Sequence, residues 1–358
     1  MRGDLRAKAI LFFLASVAGQ PLRAQEIGGF ELSGGAYLYH YAPMDVAGAE
    51  DKTEVYALFV NLDREEGRWA FHSQTRLRDT RLRPFFPSNV WVQEMWVAYN
   101  VPTPLLTFRA GKIYQHLGRF WDASFFGNVH YFDGLKLDPE FGAEAVGTFP
   151  LGGAAVLELT GQYLAQSDRV NGALAERDIE GFEDSREEDG VALGIRFSAP
   201  PASVAGRPVV TALGVSGLRE RARWVISDGA EPVDARLDHL AVDVEVGVQP
   251  LVAYAEWTRR SVEDVPLVAR ASPAGSRATY WLLGAQLSLG CLQLRYNYSR
   301  GRYDDARFAE RIHQPGLTLK LTDGIHSILE YDDWRRDLSG AGAVRVDRSL
   351  NFVILAEL

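Results

Sequence analysis

Apolar and polar residues alternate along most of this chain. The stretch from Gly67 to Arg78 (GRWAFHSQTRLR) is a clear example, because Trp69, Phe71 and Leu77 fall on odd positions while its His, Gln and Arg side chains fall on even ones. Successive side chains of a β-strand point to opposite faces of the sheet. The alternation therefore predicts strands that each have one apolar and one polar face.

Applied to the whole chain, the pattern predicts about sixteen strands, an even number, as closed membrane barrels of this type require. The predicted strands are Gly29–Tyr41, Thr53–Asp63, Gly67–Arg78, Val90–Asn100, Leu105–Gln115, Gly134–Asp138 continued by Gly142–Phe149, Gly153–Gln166, Gly190–Ser198, Arg207–Arg219, Leu237–Val248, Leu251–Val262, Ala278–Gly290, Cys291–Arg302, Ile312–Thr322, Ile325–Arg336 and Val346–Leu358. Minimal turns such as Gln249-Pro250 alternate with long polar loops such as 263–277. Short turns at one end and long loops at the other predict an all-β fold, a transmembrane antiparallel β-barrel.

The polar faces of these strands carry many charges, which decides between a soluble and a membrane-embedded barrel. A soluble all-β protein would have to bury them in a dry core, at a high cost in free energy. In a membrane barrel the apolar faces contact lipid and the charges line a water-filled lumen. The residues predicted to line the lumen are Arg76, Arg78, Arg109, Glu94, Asp243, Glu245, Glu256 and Arg295.

The first 24 residues have the three-part pattern of a secretory signal peptide. Arg2, Arg6 and Lys8 precede the apolar run 9–18, and Ala24 follows a loose small-residue cleavage pattern. We therefore predict a signal peptide over residues 1–24 and a single barrel domain over residues 25–358. The chain is 47% hydrophobic, yet no later run is long enough for a membrane-spanning helix, so the apolar content belongs on strand faces.

Composition excludes several other kinds of chemistry. The net charge of −9 argues against non-specific binding of nucleic acid. The single cysteine, Cys291, excludes an intrachain disulfide. Histidines are scattered without metal-ligand spacing, and no glycine-rich phosphate loop leads into a helix, so we expect no metal and no cofactor. Ser73 beside His72 cannot form a nucleophile–base pair within one strand, because neighbours point to opposite faces, and we predict no enzymatic activity.

The segment from Gly111 to Leu137 is too long and too aromatic for an ordinary connection between strands. Our hypothesis is that its loop, residues 116–133, folds into the barrel and narrows it; the alternative is a large external loop. The candidate residues of this constriction are Lys112, His116, Arg119, Asp122, His130 and Asp133. Basic residues slightly outnumber acidic ones among them, which weakly favours anions.

The signal peptide, the alternating strands and the final stretch SLNFVILAEL together resemble a bacterial outer-membrane porin. The segment FRAGKIYQHLGRFWDASFFGN, followed by FDGLKL, is similar to the strand-and-loop region of general and phosphate-selective porins; the alginate-export barrels share a similar pattern. The final stretch is similar to the signal read by the barrel-assembly machinery, although Leu358 stands where that signal has an aromatic residue. The resemblance implies location in the outer membrane of Gram-negative bacteria, contact with outer-membrane lipid, a homotrimer and a third loop folded inward.

The lumen charges suggest how solutes are selected. Arg76, Arg78 and Arg109 are expected on one wall, and Asp243, Glu245 and Glu256 on the wall roughly opposite. Such walls would set a transverse electric field across the pore. The alternative is that these charges are solvated lumen residues that pair with one another. The sequence thus predicts a porin for passive diffusion of small hydrophilic solutes or ions. A substrate-selective channel or exporter of anionic solutes, and an adhesin or structural barrel, remain as alternatives.

Overall fold

A computed structural model gives the fold of the chain. It describes residues 25–44, 52–77, 90–102, 105–119, 139–166, 186–200, 202–204, 206–224, 233–263, 277–304, 308–338 and 343–357. The strands are β1 (Gln25–Ile27), β2 (Phe30–Pro43), β3 (Lys52–Glu66), β4 (Trp69–Leu77), β5 (Val90–Val101), β6 (Leu105–Ile113), β7 (Glu140–Gly152), β8 (Ala155–Gln166), β9 (Arg186–Ser198), β10 (Ala202–Val204), β11 (Arg207–Trp224), β12 (Val233–Val248), β13 (Leu251–Glu263), β14 (Ala278–Leu289), β15 (Leu292–Tyr303), β16 (Phe308–Thr322), β17 (Ile325–Leu338) and β18 (Ala343–Glu357). Within these ranges no helix is long and apolar enough to cross a bilayer.

The sixteen long strands form one closed antiparallel ring, as predicted. Each pairs with its neighbour along the chain, β9 pairs directly with β11, and β18 pairs with β2 to close the ring. The two remaining strands, β1 and β10, have three residues each and pair with β2 and β11. Closure leaves no strand edge of the ring unpaired, as a sheet that crosses hydrocarbon requires.

The outer surface of the ring is apolar. On β9, for example, Val191, Leu193, Ile195 and Phe197 are all exposed, and Leu193 is 65% exposed. The residues between them, including Arg196, face the lumen, so the predicted alternation is confirmed. A stripe of exposed Val, Leu, Ile and Phe at every second position is the surface that lipid covers in such barrels.

One strand departs from the predicted alternation. The pairing of β4 with β5 shifts between Gln74 and Thr75, which leaves one extra residue on β5, Gln93. The bulge turns Trp91 inward, where it is 6% exposed and donates a 2.7 Å hydrogen bond to Gln93 Oε1. Regular alternation over the predicted strand Val90–Asn100 puts Trp91 on the same outward face as Met95. This placement is wrong, because the bulge inverts the alternation at this point.

Other differences concern the ends of strands. Strand β6 ends at Ile113 rather than Gln115, and β7 begins at Glu140, directly after Pro139. Proline cannot donate to a strand ladder, which explains a start at this position. The short strand predicted at 134–138 and the signal peptide predicted at 1–24 lie outside the described residues.

Candidate functional site

The chain that follows β6 enters the barrel. Leu117 is 1% exposed and packs in an apolar cluster with Ile113, Leu164, Ala192, Leu218 and Ala241. The last four of these are inward-facing residues of β8, β9, β11 and β12. Burial of a leucine on them requires residues 114–119, called the crossing segment below, to run along the inner wall of the ring. An external course for this part of the loop is thereby excluded.

Three polar contacts hold the segment against the part of the wall formed by β11, β12 and β13. The amide of Gly118 donates a 2.9 Å hydrogen bond to Ser216 Oγ on β11. The amide of Arg119 donates to the Glu256 carboxylate on β13, and its guanidinium pairs with Glu245 on β12. Gly118 has a positive φ of 58°, and a Cβ atom added there would collide with the carboxylate of Glu256. Glycine is thus required by both the backbone conformation and the close approach.

The acidic residues on this wall have basic partners. Arg196 of β9 lies 2.5 Å from Asp243 Oδ1 and 3.3 Å from Glu245 Oε2. Arg119 pairs with the same Glu245 and stacks over the Tyr254 ring at 5.9 Å. The guanidinium groups of Arg119 and Arg196 therefore neutralise the charges of Asp243 and Glu245 locally.

A second charged group lies where the segment leaves β6. Glu144 of β7 accepts from Arg109 at 3.0 Å and from Gln162 at 2.8 Å, and its other contact is His116 Nε2 at 3.0 Å. Gln162 also accepts a 2.9 Å hydrogen bond from the His116 amide. Glu144 thus fixes both the wall arginine and the start of the crossing segment.

The inner wall of β3 to β5 carries a third group, built around a stacked pair of rings. His72 stacks on Trp96 with 5.2 Å between ring centroids, and its Nδ1 lies 2.6 Å from Asp63 Oδ1. Trp96 donates a 2.8 Å hydrogen bond to Glu94. The guanidinium group of Arg109 also lies over the Trp96 ring, with 4.8 Å between the arginine Cζ atom and the ring centroid. The second and third groups are therefore continuous through Trp96.

The predicted lumen residues are placed as follows. Arg76 faces the lumen and donates a 2.9 Å hydrogen bond to Gln74, and Arg295 pairs with Glu330 at 2.7 Å. Arg76 and Arg109 on β4 and β6 do lie roughly across the ring from Asp243, Glu245 and Glu256 on β12 and β13. Asp243, Glu245 and Arg109 each have a counter-charge beside them, however, which favours the alternative of mutual pairing over a transverse field. Arg78 lies outside the described residues.

The predicted constriction residues are only partly described. His116 and Arg119 lie in the crossing segment, and both have the contacts given above. Lys112 lies within β6, is 2% exposed and donates a 2.7 Å hydrogen bond to the Val92 carbonyl beside the bulge. Asp122, His130 and Asp133 lie outside the described residues. Within the described ranges no three His, Cys, Asp or Glu side chains come together as a metal site.

Exposure is uneven around the inner wall. On β14 to β17 the inward residues Tyr280, Asn297, Gln314 and Glu330 are fully buried. On β3 to β6 and the segment after β6, the side chains of Asp63, His72, Glu94, Arg109 and His116 remain accessible, with exposures from 18% to 45%. Water therefore reaches these residues of β3 to β6 but not the four buried residues of β14 to β17, although Arg295 and Arg336 on the same strands are 15% and 21% exposed.

Three ion pairs of the lumen wall share an orientation that the sequence does not reveal. The contact between His72 and Asp63 has the opposite one, with the carboxylate 40% exposed and the imidazole 18%. Arg109 is 35% exposed while its partner Glu144 is 1% exposed, and Arg196 is 30% exposed while Asp243 is 6% exposed. Arg119 is likewise more exposed than Glu245. In each of these three arginine pairs the cation faces the lumen and the carboxylate lies behind it.

No protein-family profile and no curated protein matches the sequence. Several solved structures, however, are similar to this one in fold. OmpT of Vibrio cholerae without loop L8 has a TM-score of 0.61 and 11% identity over 92% of this chain and 99% of that chain. The outer membrane channel DcaP of Acinetobacter baumannii has a TM-score of 0.57 and 11% identity over 94% of this chain and 100% of that one.

An anion-selective porin from Comamonas acidovorans is similar with a TM-score of 0.58 and 10% identity, over 92% of this chain and 99% of that chain. Identities this low show a common fold. The sixteen-stranded ring, its apolar outer surface and these likenesses agree with one another. The chain therefore has the fold of the bacterial outer-membrane porins, and its outer surface is that of a barrel in the bacterial outer membrane.

Proposed function

We propose that the protein is a water-filled channel for passive diffusion of small hydrophilic solutes or ions across the outer membrane. The observation that carries the proposal is the segment 114–119, which crosses the inner wall and is fastened to Ser216, Glu245 and Glu256. A segment fixed inside a lumen lined with charges narrows the path and sets its selectivity. The permeation path runs along the accessible lumen residues, which include those of β3 to β6 and also Arg119 and Arg196.

The orientation of the ion pairs favours a preference for anions. A solute in the path meets the guanidinium groups of Arg109, Arg119 and Arg196 first, because their carboxylate partners lie deeper in the wall. The Comamonas neighbour is described as anion-selective, which agrees with this proposal without establishing it. Asp63 and Glu94 on the same side are accessible carboxylates, so we expect the preference to be moderate. A channel or exporter dedicated to anionic solutes is the second candidate.

Conductance in planar lipid bilayers tests the proposal. The purified protein should give stable open steps, and the reversal potential under a potassium chloride gradient should have the sign of chloride preference. A cation-preferring reversal potential would refute the selectivity while leaving the channel itself intact. Absence of any conducting step from correctly folded protein would refute the channel and favour an adhesin or structural barrel.

A further inference from the structure

The outer surface of the barrel carries a row of arginines at the loop end of β15, β16 and β17. Arg300 lies directly opposite Arg311 in the strand pairing, and Arg311 lies directly opposite Arg335. Arg300 and Arg311 are exposed. Like charges directly opposite on one sheet face destabilise the pairing. Three in a row need a counter-charge.

The described residues supply that counter-charge incompletely. Arg335 pairs with Asp333 at 2.8 Å, and the same aspartate lies 3.6 Å from Arg348. No carboxylate of the described residues lies within salt-bridge distance of Arg300 or Arg311. One aspartate is therefore shared between two arginines, and the other two arginines of the row face outward without an acidic partner.

On other strands, outward arginines near the loop end of the barrel have carboxylate partners. On β11 and β12, Arg219 pairs with Asp238 at 2.5 Å, Arg221 pairs with Asp189, and Arg236 pairs with Glu263. Several outward arginines near the loop end are thus provided with carboxylates. Arg259 of β13 is exposed without one among the described residues, but it lies opposite Leu240 and Thr279. The row at β15 to β17 differs because its arginines lie directly opposite one another.

The height of the row places it at the membrane interface. Trp281, which is 48% exposed, lies directly opposite Arg300, and Tyr298 lies one step closer to the apolar band on the same face. Exposed Trp and Tyr mark the level of lipid headgroups. The row lies at that level on the end of the barrel opposite the two-residue turns.

We propose that Arg300, Arg311 and Arg335 bind the phosphate of a phosphorylated lipid in the leaflet at the loop end of the barrel. Guanidinium groups bind phosphate through two parallel hydrogen bonds, and one phosphate placed between adjacent arginines offsets their repulsion. The aromatic side chains beneath the row contact the same lipid at its interfacial part. This site lies outside the lumen and is independent of the proposed channel.

Native mass spectrometry of the full-length mature protein in detergent tests the site, with phosphatidic acid as the phosphomonoester probe and phosphatidylcholine as the comparison. We expect the wild type to retain phosphatidic acid preferentially. The double variant R300Q/R311Q should bind it roughly tenfold more weakly or worse, because it loses charge-assisted hydrogen bonds. The matched control R219Q removes one outward arginine near the loop end that has an aspartate partner, and it should bind as the wild type does.

Folding of each variant is checked by its heat-dependent migration in electrophoresis, and R300K/R311K supplies a second variant that keeps the charge. We expect this lysine variant to bind at an intermediate level. Equal binding by R300Q/R311Q and wild type would overturn the proposal, as would equal retention of phosphatidylcholine. Displacement of the lipid by inorganic phosphate would assign the row to a free anion instead. Loss of oligomers without loss of lipid in R300Q/R311Q would assign it to a protein contact.

Discussion

The amide of Gly118 donates a 2.9 Å hydrogen bond to Ser216 Oγ, although the two residues are 98 positions apart in the chain. Gly118 follows β6, and Ser216 lies on β11, four steps further around the ring. Together with the contacts of Arg119 and Leu117, this bond joins two parts of the inner wall that are not neighbours in the sheet. The attachment determines how much of the lumen stays open, and it can be tested by substitution.

Replacing Gly118 by alanine should release the segment and increase the single-channel conductance. The added Cβ atom collides with Glu256, and the left-handed backbone conformation costs about 1–2 kcal/mol for a residue other than glycine. Gly206→Ala is the matched control, because Gly206 also has a positive φ but nothing lies within 4 Å of its added Cβ. Equal conductances for the two variants would show that the segment does not limit the path.

Replacing Arg196 by glutamine should shift the reversal potential toward cations. The change removes an accessible cation and leaves Asp243 with its charge unbalanced. An interaction of about 1 kcal/mol between a lumen charge and a passing ion corresponds to a change of about fivefold in the permeability ratio. R219Q, on the outer surface, removes the same charge and should leave the ratio unchanged. A shift of equal size in both variants would point to the net charge of the protein rather than to the lumen.

Replacing Leu117 by alanine should loosen the crossing segment without opening the barrel. Truncation of a fully buried leucine costs about 2–5 kcal/mol. Hydrogen exchange at the amides of Gly118 and Arg119 should accelerate by tenfold or more, since about 1.4 kcal/mol corresponds to tenfold. Leu213→Ala is the control, because Leu213 is 49% exposed on the outer surface, where lipid can fill the space. Unchanged exchange in the Leu117 variant would contradict the packing described for the cluster.

Replacing Ile195 by arginine should impair insertion into lipid vesicles. Ile195 is 56% exposed on the apolar band, and arginine on that face near the membrane centre costs about 2–4 kcal/mol. Thr148→Arg is the matched control, because Thr148 lies directly opposite Glu158, whose other cross-strand neighbour is Arg196 of the lumen wall. The free energy of folding into vesicles should fall for the first variant only. Equal losses in the two variants would contradict the assignment of the two faces.

The strands and their faces could be predicted because a barrel wall has water on one side and lipid on the other. Each residue's polarity then reports its direction, and β9 follows this rule throughout. The rule failed at Trp91, because the bulge at Gln93 adds one residue to β5 without any change in composition. A bulge depends on register with the partner strand, which a local pattern does not contain.

Only the structure could decide whether the start of the loop, up to Arg119, runs inward. The sequence does contain one sign of it: Leu164, Ala192, Leu218 and Ala241 are apolar residues on faces that are otherwise polar. Side by side in the ring, they form the surface on which Leu117 packs. The orientation of the ion pairs had no such sign, because it depends on how deeply each carboxylate lies behind its arginine.

The pairing of β18 with β2 has a consequence for biogenesis. The strand that seals the ring, Ala343–Glu357, is synthesised more than 300 positions after the strand it meets, Phe30–Pro43. Until it is available, β2 has an open side that could pair with another chain. The nascent protein therefore needs to be kept apart from its own copies during transit, and the final step of its assembly joins its earliest and latest parts.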